Sequence, residues 1–362
     1  MSNSNIKTEL DVTAILYLYS SRMPSTYEVL DNSRGENDKR FVIFCDYNDY
    51  GRVVIKAARN SFSTPSRVTA WADLAAHYNN LGIYAPQFLC LNSGNFGELK
   101  EGYCVWAEEY AKYLSSDKIA GEVNGEENRA ARLKALGRIA NSFKIKPIVS
   151  FSSPYAMYYK FSDEDSAPEI YANGLEIIRK ICRIAPSFAE RANSILKAYE
   201  LRRAEFEPIY RALPKATFQG DMNLSNLLFD GEGKFKGVMD FNLSGTDAIL
   251  AYAFFESHYI VDDDELEEVK NNISLGIMNI EKIEERTRSN LKFVSSEYNF
   301  SHNERTAFIH FYRLAAPFWN FNGEAYTSLL NNGGISVVKK ILDYIEYHFN
   351  RTDVESWLSF RN

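Results

Sequence analysis

Three oxygen-bearing side chains fall close together in one short stretch. Asp221 and Asn226 lie five residues apart in Phe218-Gln219-Gly220-Asp221-Met222-Asn223-Leu224-Ser225-Asn226, and Asp240 follows in Met239-Asp240-Phe241. Between them run an apolar segment, the turn Asp230-Gly231-Glu232-Gly233, and a second segment over 234–239. Asp and Gly in such a turn close a hairpin. A hairpin closing near Asp230 and Lys234 sets Asn226 opposite about residue 238, a step or so from Asp240, because direct cross-strand neighbours are about 5 Å apart. Magnesium is a hard cation that takes oxygen ligands, commonly one or two carboxylates plus substrate phosphates. Asn226 and Asp240 suit that ion, and Asp221, just ahead of the hairpin, is available as a base. The order Asp-x-x-x-x-Asn followed by Asp-Phe is the layout of a phosphoryl-transfer catalytic loop and its metal-binding residue.

This stretch resembles the aminoglycoside phosphotransferase and choline kinase-like superfamily, in which His-Gly-Asp-x-x-x-x-Asn precedes an apolar strand, a turn and Ile-Asp-Phe. Gly220-Asp221, Asn226 and Met239-Asp240-Phe241 match it, while Gln219 stands in place of the His. The resemblance implies a catalytic base at Asp221, magnesium ligands at Asn226 and Asp240, ATP as phosphoryl donor and a small-molecule hydroxyl as acceptor. It extends to Arg52-Val53-Val54-Ile55-Lys56-Ala57, which is similar to the family strand whose lysine pairs with the ATP phosphates. By the same resemblance, a Glu in the next helix holds that lysine. Here the helix has no Glu, and Asp73 is the nearest substitute. There is no GxGxxG, so Asn32-Ser33-Arg34-Gly35 would cover the phosphates through backbone N–H groups and the Ser33 hydroxyl. Position in the fold puts the adenine edge against the connector Glu108-Glu109-Tyr110-Ala111, with Glu109 and Ala111 as backbone contacts.

Elements must hold these groups in place. A short helix is expected over 9–22, then strands over 27–30, 40–46 and 52–57, rich in Val, Ile, Phe and Tyr. A helix over 67–81 ends at Gly82, with Pro86 beyond it, and strands over 88–91 and 102–106 follow. Helical periodicity then covers 126–143, 168–183 and 187–213. A strand-rich island at about 216–241 precedes helices over 247–259, 264–296, 303–319 and 335–350. The expected fold class is α+β, with a protein-kinase-like two-lobed architecture: a small antiparallel-sheet lobe (1–107), a hinge (108–113) and a mostly helical lobe (114–362).

Composition narrows the classes. The chain has 362 residues, 45% hydrophobic and 25% charged, which is ordinary for a soluble globular protein. A net charge of −7 without any basic run argues against nucleic acid. No apolar run reaches the roughly 18 residues of a spanning helix, and the first ten residues lack a signal-peptide pattern, so the expectation is a cytoplasmic protein with no membrane partner. Cys45, Cys90, Cys104 and Cys182 form no CxxC and read as buried thiols.

The acceptor is the least legible part. Asp262-Asp263-Asp264-Glu265 and Glu267-Glu268 would suit an amine-bearing acceptor, but acids also favour a helix N-terminus. Tyr252, Phe254, Phe255, Tyr259, Phe311, Tyr312, Phe318, Trp319 and Phe321 could cage an ammonium group, but helically spaced aromatics also make cores. An aminoglycoside or amino alcohol is the expected acceptor. Choline, ethanolamine or another metabolite is the alternative within kinases, and a catalytically silent nucleotide-binding module is the alternative outside them. No Ala-Pro-Glu follows Asp240, which argues against a protein kinase. Oligomeric state is not readable.

Overall fold

The computed structural model describes residues 10–119, 123, 125–143, 151–258, 263–278 and 281–358. In chain order the elements are α1 (Val12–Tyr19), β1 (Thr26–Asp31), β2 (Lys39–Tyr47), β3 (Gly51–Arg59), α2 (Pro65–Asn80), β4 (Phe88–Leu89), β5 (Gly97–Lys100), β6 (Tyr103–Glu109) and β7 (Leu114–Ser115). Then come α3 (Glu126–Ser142), α4 (Glu169–Ile184), α5 (Ala189–Ala212), β8 (Lys215–Phe218), β9 (Leu227–Phe229), β10 (Phe235–Val238) and β11 (Gly245–Ala248). The chain closes with α6 (Ile249–Ser257), α7 (Asp263–Leu275), α8 (Glu281–Ser295), α9 (His302–Ala315), α10 (Asn320–Asn332) and α11 (Ile335–Asn350). Two compact units result: Met1–Gly121 with Asn223–Asn242, and Glu122–Met222 with Leu243–Asn362.

The first unit is built on an antiparallel sheet of order β1-β2-β3-β6-β4, with β5 also paired to β6. Period-two alternation in β2 and β3 sends Phe41, Ile43, Cys45, Val53, Ile55 and Ala57 into one core with Ile15 and Leu16 of α1. The other face carries Lys56, which stands opposite Trp106 of β6. Helix α2 begins with Thr64 capping Arg67 N–H and Pro65 in its first turn. It buries Trp71, Leu74, Ala75 and Tyr78 at helical spacing, and Trp71 meets Trp106 edge-on at 5.5 Å.

The hairpin of β9 and β10 belongs to this unit because β7 pairs with β9 and the chain at Tyr84 pairs with β10. Tyr84 N–H donates to the Lys236 carbonyl and Val238 N–H donates to the Tyr84 carbonyl. A Cβ at Gly237 would sit 1.8 Å from the Tyr84 oxygen, so only glycine fits.

The second unit is helical around a two-stranded ladder, β11 with β8. Helix α6 is apolar nearly all round and buries eight of its nine residues, as a central helix must. Of the aromatic residues singled out in the sequence, Tyr252, Phe254, Phe255, Phe311, Tyr312, Phe318 and Trp319 are buried, and Phe255 stacks on Trp319 at 4.0 Å. They are core. Tyr259 and Asp262 lie outside the described residues. Of the other acids, Glu265 pairs with Arg286, Glu267 with Lys270 and Glu268 with Lys282. Only the Glu265–Arg286 pair is shielded from solvent and ties α7 to α8; Glu267 and Glu268 are exposed.

Three expectations need correction. The single helix over 264–296 is two, since α7 stops at Leu275 and Gly276 takes φ +72 just beyond it. Helix α10 was not expected at all. Cys90 is exposed and Cys182 half-exposed, whereas Cys45 and Cys104 are buried. Cys90 lies past the short β4, and Cys182 follows the buried Ile181 on the outward side of α4.

Candidate functional site

Lys56 is the hub of the first unit's polar face. Its Nζ lies 3.0 Å from Glu108 Oε1 and 3.6 Å from Asp240 Oδ1. Strand register explains the first pair. Lys56 opposes Trp106 and Val54 opposes Glu108, so Glu108 is the diagonal neighbour of Lys56 on the same face. Trp106 Nε1 donates to the same Glu108 oxygen at 2.7 Å and so aims the carboxylate. Burial works against the lysine's charge, but Glu108 and then Asp240 outweigh it and hold Lys56 above the ordinary lysine value.

Asp73, the helix residue expected to hold this lysine, is exposed on the outer side of α2. Its neighbours Trp71, Ala72, Leu74 and Ala75 take the inward side. A strand-borne Glu does what a helix-borne one was expected to do. The readable signal was an acid closing an otherwise apolar strand, Cys104-Val105-Trp106-Ala107-Glu108.

Asp240 follows β10 with φ +60, a left-handed conformation that non-glycine residues adopt rarely and that costs roughly 1–3 kcal/mol. Asn242 Nδ2 reaches Asp240 Oδ2 at 3.4 Å. Asn226 closes a 3-10 turn, Leu224–Asn226, capped by the Asn223 side chain, and is buried. Its carbonyl accepts the Met239 N–H at 2.9 Å, so Asn226 stands opposite residue 239 and next to Asp240 along the hairpin. The sequence placed it opposite about 238. The difference of one residue comes from a bulge between Phe235 and Gly237 that adds Lys236 to one strand.

Lys56 and Asp240 line a cavity of about 370 Å³ together with Ser33, Arg34, Arg40 and Asn60. The loop between β1 and β2 is held by polar contacts, and its Gly35 takes φ +155. Asp38 accepts from Arg40 Nε and Nη2 at 2.7 Å each and from Asn60 Nδ2 at 3.0 Å. Ser33 Oγ accepts the Arg40 N–H at 3.1 Å. The Ser33 hydroxyl and N–H together keep the Asp31 carboxyl below its usual range. Glu109 ends β6, with its N–H on the Gln87 carbonyl and its Oε1 accepting from the Tyr84 hydroxyl at 2.8 Å. Ala111 follows, beside Lys112, whose N–H also meets the Tyr84 hydroxyl.

Asp221 belongs to the second unit, in the loop after β8. Its N–H donates to Oε1 of Gln219 at 2.8 Å, and Gln219 is fully buried. Gln219, where the resembled family has His, thus fixes the loop by its own side chain. Gly220 has φ +87, and a Cβ there would come within 2.2 Å of the Leu243 carbonyl oxygen, so the position demands glycine on both counts. Sequence reasoning missed two residues that meet the loop from helices, Arg132 and Glu256.

No protein-family model matches the chain, and no curated protein matches it. Solved structures do. The amicoumacin kinase hAmiN in complex with AMP-PNP, Ca2+ and Ami is 12% identical, with 97% of each chain covered and a TM-score of 0.51. An aminoglycoside phosphotransferase from Alicyclobacillus acidocaldarius subsp. acidocaldarius DSM 446 is 10% identical, over 96% of this chain and 97% of that one, with a TM-score of 0.49. Spectinomycin phosphotransferase APH(9)-Ia, in complex with ADP and spectinomycin, is 11% identical over 97% and 98%, with a TM-score of 0.48. At such identities a likeness speaks of fold alone. By that measure the chain shares its α+β fold, an antiparallel-sheet unit and a helical unit, with the amicoumacin kinase hAmiN.

Proposed function

We propose that this protein is a phosphotransferase that moves the γ-phosphoryl group of ATP, with Mg2+, to a hydroxyl of a small molecule of the aminoglycoside or amino-alcohol class. The observation that carries the reading is the Lys56–Asp240 pair on the wall of a 370 Å³ cavity, with Lys56 also paired to Glu108 and Asp240 in a left-handed backbone conformation. A fixed cation beside an oxygen donor, in a cavity also bordered by Arg34 and Arg40, suits a polyphosphate.

The donor set fits magnesium. Asp240 and Asn226 offer oxygen atoms at the open end of one hairpin. Among the described residues no group of three or more His, Cys, Asp or Glu could hold a metal, and magnesium needs none where phosphates complete its shell. When bound, the ion supplies charge neutralisation across the phosphate oxygens. The protein's own groups have separate tasks in this reading. Lys56 holds the phosphates. Glu109 and Ala111 meet the adenine edge through their backbone. Asp221 accepts the acceptor's hydroxyl proton and orients the attack. A phosphate contact from the Ser33 hydroxyl requires it to give up Asp31, so a Ser33 contribution through its backbone N–H or hydroxyl comes with a rearranged loop.

The silent-module reading leaned on the missing helix Glu, the sparse glycine loop and Gln219. Two of these departures have replacements here, Glu108 for the helix Glu and the Gln219–Asp221 hydrogen bond for the His, which favours an active enzyme. A choline, ethanolamine or other metabolite kinase remains the alternative within the class. The test is acceptor-stimulated, magnesium-dependent ATP consumption by the purified protein across aminoglycosides, amino alcohols, sugars and nucleosides. Stimulation by one class is the expected result. No ATP turnover with any acceptor would overturn the reading.

A further inference from the structure

Helices α3 and α6 each place one charged, nearly buried side chain on the loop that carries Asp221. Arg132 of α3 donates from Nη1 to the Met222 carbonyl at 2.8 Å. Glu256 of α6 takes the Met222 N–H on its carboxylate. The two charged groups lie 3.9 Å apart, and their side chains are 10% and 11% exposed.

A buried ion pair is weak evidence for stability, because desolvation offsets the attraction. This one is poorly closed as a pair, and each partner uses its charge on a backbone dipole of the same residue. The Met222 N–H belongs to the peptide bond that joins Asp221 to Met222, so Glu256 restrains the Asp221 peptide directly. The Met222 carbonyl belongs to the next peptide, which Arg132 restrains. With Gln219 on the Asp221 N–H, three polar groups of the main chain at Asp221 and Met222 are gripped by side chains, one from the loop itself and two from helices α3 and α6. Charge-assisted bonds of this kind are about twice as strong as neutral ones. Burial raises the Glu256 carboxyl above its usual value, Arg132 opposes that rise, and the Asp221 charge adds to it.

We infer that Arg132 and Glu256 are positioning residues for Asp221: they clamp both polar groups of Met222 and thereby aim the adjacent carboxylate. The inference rests on the phosphotransferase reading for its catalytic meaning, but the clamp itself can be measured without activity. Misplacing a reacting group by about 1 Å costs about 10²-fold in rate.

Arg132→Gln, Arg132→Lys and Glu256→Gln are compared with the parent by hydrogen exchange of the peptide covering 219–224 and by magnesium-dependent ATP consumption with ethanolamine or streptomycin as acceptor probe. Arg132→Gln is expected to speed exchange of the 219–224 amides about tenfold and to lower kcat about 10²-fold, with KM for ATP within about twofold. Arg132→Lys, which keeps the charge, is expected to recover most of the loss. In an Asp221→Ala background, Arg132→Gln is expected to remove no further activity, since it acts through Asp221. Unchanged exchange and kcat in Arg132→Gln, or an equal loss in the Asp221→Ala background, would overturn the inference. Should Arg132→Gln fail to fold, exchange and kcat in Glu256→Gln decide by the same criteria. A parent without ATP turnover across all the acceptor classes named above would sink the enzyme reading, and the exchange arm still decides whether the clamp exists.

Discussion

Lys56 and Asp221 are both held by partners drawn from distant parts of the chain, but the hold falls on different atoms. At Lys56 two carboxylates, Glu108 and Asp240, grip the side-chain charge itself. At Asp221 the partners Gln219, Glu256 and Arg132 grip the main chain around the residue. The two modes suit different tasks. A cation that awaits an anion keeps its charge aimed by counter-charges that the anion can share. In the proposed reaction Asp221 is the base, and restraint of its backbone sets where its carboxylate stands.

The comparison breaks most sharply at Asp221. Asp221→Asn keeps size and backbone bonds and removes the base, so turnover should fall by about 10³-fold. Nucleotide affinity, read by calorimetry, should stay within a few-fold. Near-normal turnover would mean that the clamped loop serves no base.

A smaller effect sharpens the other side. Glu108→Gln leaves Lys56 with one counter-charge, so KM for ATP should rise about tenfold, the equivalent of about 1.4 kcal/mol and the low end for a bond to a charged group. Asp73→Asn should change nothing, because that side chain faces solvent. The reverse pattern would restore the helix as the lysine's anchor.

A separate effect, on stability rather than activity, concerns the carboxylate of Asp247 on β11. It is buried, accepts from the Tyr210 hydroxyl at 2.6 Å, and has a second oxygen, Oδ2, without a hydrogen-bond partner. Burial pushes its pKa up to about 7, against the Tyr210 and Ala248 hydrogen bonds. The folded state therefore keeps a proton that the unfolded chain has shed, so this contribution to stability is complete below about pH 4 and is lost as pH rises through about 7. Urea unfolding at pH 5 and pH 8 should show a larger drop for the parent than for Asp247→Asn. Equal drops would show that Asp247 stays ionised in the fold.

Much of the architecture could be read from periodicity. The strands over 40–46 and 52–57 appear as β2 and β3, and the helix over 126–143 appears as α3. Helix α10 escaped because Asn320, Asn322 and Gly323 are poor helix formers, and packing around the buried Tyr326 and Leu330 overrides them. The 264–296 segment kept helical periodicity through Gly276, where the backbone turns left-handed and ends α7. Glu108 was read only as part of a connector, because its role depends on β3 pairing with β6 in one register. No local pattern states that register.

The local order of the chain determined the chemistry's raw material. Asp221, Asn226 and Asp240, with the turn between them, were legible because a hairpin is closed by its own turn residues and needs little outside help. Tertiary structure alone decided how those groups are held. Arg132 reaches the Met222 carbonyl across 90 positions of sequence. Glu108 meets Lys56 only through the β3–β6 ladder. Such contacts depend on strand register and helix packing, which are set by the burial of many residues at once, so a local signal such as the acid at Glu108 does not name its partner.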